Sequence, residues 1–178
     1  GQARDDQLRK LVQVGLPLLV VHPATEAIVA FELDMIRRDT GCPLISYCPG
    51  LWHPALEKLR TLAANQEPSP LGPIEQISFE RALASRTRPE VLGHLAMDTS
   101  LLRDLLGGVK QVSAMSAGGQ TNLANLTVSL SGPDGQVARW TVGPPDHEAG
   151  GRMIVIGSHA KAVLTMPADE SQWSLTIA

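Results

Sequence analysis

Residues 16–23 read LPLLVVHP, a continuous apolar run that Gly15 opens and Pro23 closes. A strand of this kind fits burial on both faces, as in a parallel sheet. Parallel strands need a crossover, usually a helix. Thr25 can cap one over residues 26–39, with Ile28, Phe31, Met35 and Ile36 on its inner face and Gly41 as its stop. CPLISYC (42–48) is the second strand. A helix over 53–64 follows, opened by Pro54 and lined by Leu56, Leu59 and Leu62. A further helix precedes the pair at 4–14, with Leu8, Leu11 and Val12 on one face. The first 64 residues therefore read α-β-α-β-α, the order of a doubly wound sheet. Two strands do not complete such a sheet, so its remaining strands are expected outside this chain.

From residue 65 the pattern changes. NQEPSPLGP (65–73) is a turn-rich connector. The strand over 73–83 sets Ile77 and Phe79 on one face and Ile74, Gln76, Ser78 and Glu80 on the other. A helix follows at 90–106, with Leu92, Leu95, Thr99, Leu102 and Leu105–Leu106 as its stripe and Gly107-Gly108 as its stop. Only strand signals come after it, at 109–117, 121–132, 136–143, 151–157, 162–167 and 172–178. SGPDGQ (131–136) is a hairpin turn. The expected fold is α+β: a short parallel α/β remnant over 1–64, then a mostly antiparallel open sheet over 65–178 with a long helix packed on one face.

Composition excludes several classes. Aromatic residues are only 3% of the chain, so Leu, Val, Ile, Ala and Met must build the core. A net charge of -3 gives no basic face for nucleic acid, and Arg37-Arg38 and Arg81 read as isolated, solvated basics. No apolar run reaches 18 residues, so no membrane span is expected. Cys42 and Cys48 read as reduced, partly buried thiols. The five histidines show no HxxxH or HExxH spacing, and nothing argues for a metal. No targeting signal is visible, and a cytoplasmic location is expected. Gly1 followed by a polar stretch reads as a start other than the natural one.

Four stretches, taken in order, resemble the glucose–fructose oxidoreductase / inositol dehydrogenase family (Gfo/Idh/MocA). LPLLVVHPAT (16–25) looks like the strand ending in the family's Glu-Lys-Pro motif. LWHPALEKLRTL (51–62) looks like its Arg-x-x-Pro segment and the next helix, and LGPIEQISFER (71–81) like its following strand. MDTSLLRDLLGGVKQVSA (97–114) looks like its His-Asp-x-Asp-Leu-Leu helix and the strand after it. Together they span most of residues 4–165. The resemblance implies a preceding Rossmann domain holding NAD or NADP, and a C-terminal α+β domain supplying the site for a sugar or polyol. It also implies that no cofactor binds to the present chain alone, since no Gly-x-Gly-x-x-Gly loop occurs in it. The sequence departs from the family at the proton-transfer positions. His22 stands where the family has Lys, Met97 where it has His, Ser100 where it has a second Asp, and Leu51 near its Arg; Asp98 matches.

The candidate catalytic residues are His22, His94 and Asp98, with Pro23 as a cofactor contact. His22 ends a parallel-type strand, where open α/β sheets place ligands, and could act as acid or base near neutral pH. His94 and Asp98 are i, i+4 on one helix face; the competing reading is a surface pair with no chemical role. His53 reads as local structure, and His147 and His159 as exposed turn residues. Three functions stay open: the substrate-side part of an NAD(P)-dependent oxidoreductase, inactive by itself; a non-catalytic binding or assembly module of the same fold; and a lyase acting on a sugar. A free sheet face rich in Val, Leu and Ile would need covering, which predicts a homodimer through that face.

Overall fold

The computed structural model describes residues 2–21, 27–63, 69–117, 119, 122–145, 150–167 and 172–178. The chain divides into two compact units, Gly1–Gly50 and Leu51–Ala178.

The first unit holds α1 (Gln2–Val14), β1 (Leu18–Val21), α2 (Ala27–Thr40) and β2 (Leu44–Tyr47). β1 and β2 pair in parallel, with Leu18 opposite Leu44 and Val21 opposite Tyr47. Val12, Val29, Leu33 and Cys42 form its core, with Leu8, Leu18, Ile36 and Leu44 against them. The inner face of α2 differs from the expected one. Phe31 and Met35 are 60% and 51% exposed, and Val29, Leu33 and Ile36 turn inward at i, i+4, i+7 spacing instead. Leu11 is exposed too, whereas its neighbour Val12 is fully buried. On the strands, Leu19, Val21 and Ile45 are exposed. This sheet is therefore covered on one face, not on both as the apolar run predicts. Cys42 and Cys48 are buried and form no disulfide, and the Cys42 thiol donates to the Leu16 carbonyl at 2.9 Å.

A 3-10 turn at Pro49–Trp52, absent from the sequence reading, precedes α3 (Pro54–Ala63). The boundary between units lies before α3, whereas the sequence reading grouped that helix with the first 64 residues. The reason is packing: Leu56, Leu59 and Ala63 of α3 enter the core of the second unit, against β8 and β9. His53 serves local structure. Its Nδ1 accepts from the Ala55 N–H at 3.2 Å, and its ring stacks on Trp173 with centroids 4.0 Å apart.

The second unit continues with β3 (Ile74–Ala82), α4 (Arg88–Leu106), β4 (Gln111–Ala117), β5 (Asn125–Ser131), β6 (Val137–Gly143), β7 (Gly151–Gly157), β8 (Lys161–Met166) and β9 (Ser174–Ile177). The strands form one sheet in the order β4-β5-β6-β3-β7-β8-β9. β3 and β6 pair in parallel, and the other neighbours are antiparallel. The parallel pair follows from connectivity: α4 carries the chain away from β3, and the β4-β5-β6 meander returns it alongside. A register shift between Ile74 and Gln76 lets both Ile74 and Ile77 face the core although they are three positions apart. This bulge is why the expected assignment of Ile74 to the outer face does not hold.

α3 and α4 pack on the sheet, over a core of Ile77, Phe79, Val128, Leu130, Ala138, Trp140, Met153, Val155, Ala162 and Leu164. Thr87 precedes α4 and its hydroxyl donates to Glu90 Oε2 at 2.8 Å. Gly107 closes the helix at φ 69, a left-handed turn that glycine adopts at little cost. Its N–H and that of Gly108 bond back to Asp104 and Arg103. The other sheet face is mixed rather than uniformly apolar. Ser78, Thr127, Ser129, Thr141 and Thr165 alternate with the buried positions, as do Glu80, Arg139 and Arg152, which are exposed. Apolar side chains on that face concentrate at Ile154, Ile156 and Val163 of β7 and β8.

Candidate functional site

The helix stripe that meets the sheet is shifted from the expected one. Leu92 is 40% exposed, and the buried residues of α4 are Val91, Asp98, Leu101, Leu102, Leu105 and Leu106. Asp98 thus stands in the middle of an apolar stripe, 3% exposed. A lone carboxylate there would carry a large desolvation cost. Two residues of the sheet offset it. Arg81 of β3 donates from Nε to Oδ2 at 2.8 Å and from Nη2 to Oδ1 at 2.6 Å. Trp140 of β6, itself fully buried, donates from Nε1 to Oδ2 at 2.8 Å.

Arg81 is not the solvated basic residue expected from sequence. Its side chain lies over Phe79, 4.9 Å from the ring centroid. Room for it comes from Gly151 on β7, directly opposite Arg81 in the ladder. A Cβ at Gly151 would sit 3.1 Å from Arg81 Nη1 and 3.3 Å from its Cδ. Four elements therefore build this cluster: α4 supplies the anion, β3 the cation, β6 the indole donor and β7 the space.

His94 lies one turn before Asp98 on the same face, but the expected His94–Asp98 pair does not form. His94 Nδ1 is buried and has no hydrogen-bond partner. Burial, then the nearby Arg81 guanidinium, hold the imidazolium of His94 below its usual range, while Asp98 and Glu90 pull the other way. His94 is thereby favoured as a neutral imidazole. Both carboxylate oxygens of Asp98 are engaged, by Arg81 and Trp140.

His22 and Pro23 lie outside the described residues, as does His147. His159 is exposed, as expected of a turn residue. Among the described residues, no group of three or more His, Cys, Asp and Glu is placed to hold a metal ion. Sequence reasoning missed Arg81, Trp140 and Gly151. A signal for Arg81 was present: Ile77, Phe79 and Arg81 share one strand face at period two, so a core-facing Arg81 was legible from the alternation.

No protein-family model matches the sequence, and no curated protein matches it. Solved structures do. A myo-inositol dehydrogenase from Corynebacterium glutamicum superposes with TM-score 0.73 at 16% identity, over 92% of this chain and 54% of that one. The WlbA dehydrogenase from Bordetella pertussis, in complex with NADH and UDP-GlcNAcA, gives TM-score 0.69 at 15% identity, over 94% of this chain and 60% of that one. The UDP-N-acetylglucosamine 3-dehydrogenase GnnA from Acidithiobacillus ferrooxidans gives TM-score 0.67 at 19% identity, over 92% and 54%. The present chain spans little more than half the length of these proteins. Its fold is that of the C-terminal part of Gfo/Idh/MocA oxidoreductases, as the sequence resemblance implied.

Proposed function

We propose that this chain is the substrate-side part of an NAD(P)-dependent oxidoreductase acting on a sugar or polyol. Within it, residues 1–64 are the tail of a nucleotide domain and residues 65–178 the substrate domain. The observation that supports this most is the fold match, which runs through more than nine-tenths of the chain into dehydrogenases. The parallel β1–β2 pair fits the same reading, because parallel sheets are normally covered on both faces and this one leaves apolar Leu19, Val21 and Ile45 exposed. His22, which follows β1 in the sequence, is the acid–base candidate in this proposal. Asp98 is not, since Arg81 and Trp140 occupy its carboxylate.

Calorimetry tests the reading. The isolated chain is expected to bind neither NADH nor NADPH and to reduce no NAD with sugars or polyols. The polypeptide that includes the preceding nucleotide-binding half is expected to bind one of them. Failure of that longer polypeptide to bind either cofactor would overturn the proposal and favour a non-catalytic module of the same fold.

A homodimer through the open sheet face belongs to the same proposal. Its apolar contact would centre on Ile154, Ile156 and Val163, a smaller patch than a Val-, Leu- and Ile-rich face would offer. Light scattering at micromolar concentration should show a dimer in wild type and a monomer in Ile154→Glu. A wild-type monomer would sink this part.

A further inference from the structure

We infer that Glu90, His94, Asp98 and Arg81 form an acid-sensitive latch that holds the first half of α4 on the sheet. The inference is independent of the function proposed above. Glu90, His94 and Asp98 follow one another at i, i+4 and i+8, so they form a ladder along one face of α4. The ladder runs from solvent to core. Glu90 is exposed, and its carboxylate accepts from the Ser85 and Thr87 hydroxyls. Asp98 is buried on Arg81 and Trp140. His94 sits between them with its Nδ1 buried and unpartnered.

At neutral pH the buried charges balance. Arg81 offsets Asp98, and a neutral imidazole adds nothing. A proton on His94 changes the count to two cations against one buried carboxylate. The groups that face His94 electrostatically are Arg81 from β3, and Asp98 and Glu90 from its own helix; Trp140 from β6 contributes a neutral donor. An imidazolium can then compete with Arg81 for Asp98, or swing outward to Glu90. Either move loosens α4 from the sheet.

The direction of the pH dependence follows from linkage. Folding lowers the proton affinity of His94, so the unfolded chain binds more protons than the folded chain as the pH falls below the ordinary histidine value of about 6.5. Stability from this group is complete above that value and is lost as the pH falls through and below it.

Trp140 reports on the latch, because its indole touches Asp98. The chain has three tryptophans, so Trp52→Phe/Trp173→Phe leaves Trp140 alone. Its emission is expected to shift to the red on titration from about pH 8 to about pH 5, with a midpoint below about 6.5. His94→Gln and His94→Phe should abolish that transition, and Glu90→Gln should move it to lower pH. Amide exchange on the unmodified protein provides a second measurement. Protection of residues 91–98, corrected for intrinsic exchange, should fall by up to about tenfold per pH unit in the same range. A flat Trp140 emission with unchanged protection, or an identical transition in both His94 variants, would overturn the latch.

Discussion

Asp98→Ala is expected to lower the stability of the second unit by about 3–5 kcal/mol, read as a fall in the urea midpoint. The size comes from what is left behind rather than from the contacts removed. Arg81 is fixed in a niche that Gly151 opens for it, with only 18% of its side chain exposed. Without Asp98 its guanidinium stays largely desolvated and unpaired, and the Trp140 indole loses its acceptor. Arg81→Met is expected to cost a comparable amount, because the carboxylate then keeps only the indole. The double variant Arg81→Met/Asp98→Leu should lose less than the two single losses combined, since no charge is stranded in it. A loss below about 1 kcal/mol in Asp98→Ala would mean that the pair behaves as an exposed surface bridge, and the buried-cluster account would fail.

The same cluster marks where the sequence was legible and where it was not. Element types and order follow from apolar periodicity and turn residues, and the observed order α-β-α-β-α-β-α followed by six strands matches that reading. The faces of the helices were harder. On α2 the larger side chains Phe31 and Met35 suggested an inner face, while the structure buries Val29 and Leu33. Size and hydrophobicity do not fix helix phase when a helix carries apolar residues all round. On α4 the phase was obscured by Asp98, a polar residue at a core position. A periodic reading passes over such a residue unless its partner is known, and the partners lie on strands 17 and 42 positions away. The packing of α3 was hidden for a related reason: in sequence it looks like the next helix of the β-α-β series, and only its contacts place it against the larger sheet.

Gly157→Ala should produce the other large loss, about 3 kcal/mol, for a steric reason. Gly157 ends β7 and faces Ile74 of β3 in the ladder. A Cβ there would lie 2.2 Å from the carbonyl oxygen of Leu71 and 2.8 Å from its carbonyl carbon. These are backbone atoms, so no change of rotamer relieves the overlap. The segment that would have to move is tied in place. The Leu71 carbonyl accepts from the His159 N–H, and the Pro73 carbonyl from the Ser158 N–H, both at 3.0 Å. The Leu71 side chain is fully buried as well. Displacing residues 71–73 breaks those bonds, and displacing Gly157 disturbs the β3–β7 ladder whose far end pairs Arg81 with Gly151. Gly119→Ala is the control, because a Cβ there meets nothing within 4 Å, and it should stay within about 0.5 kcal/mol of wild type. Equal urea midpoints for the two variants would show that the 71–73 segment yields freely, and the close approach of the two backbones would then have no part in holding β7 in register.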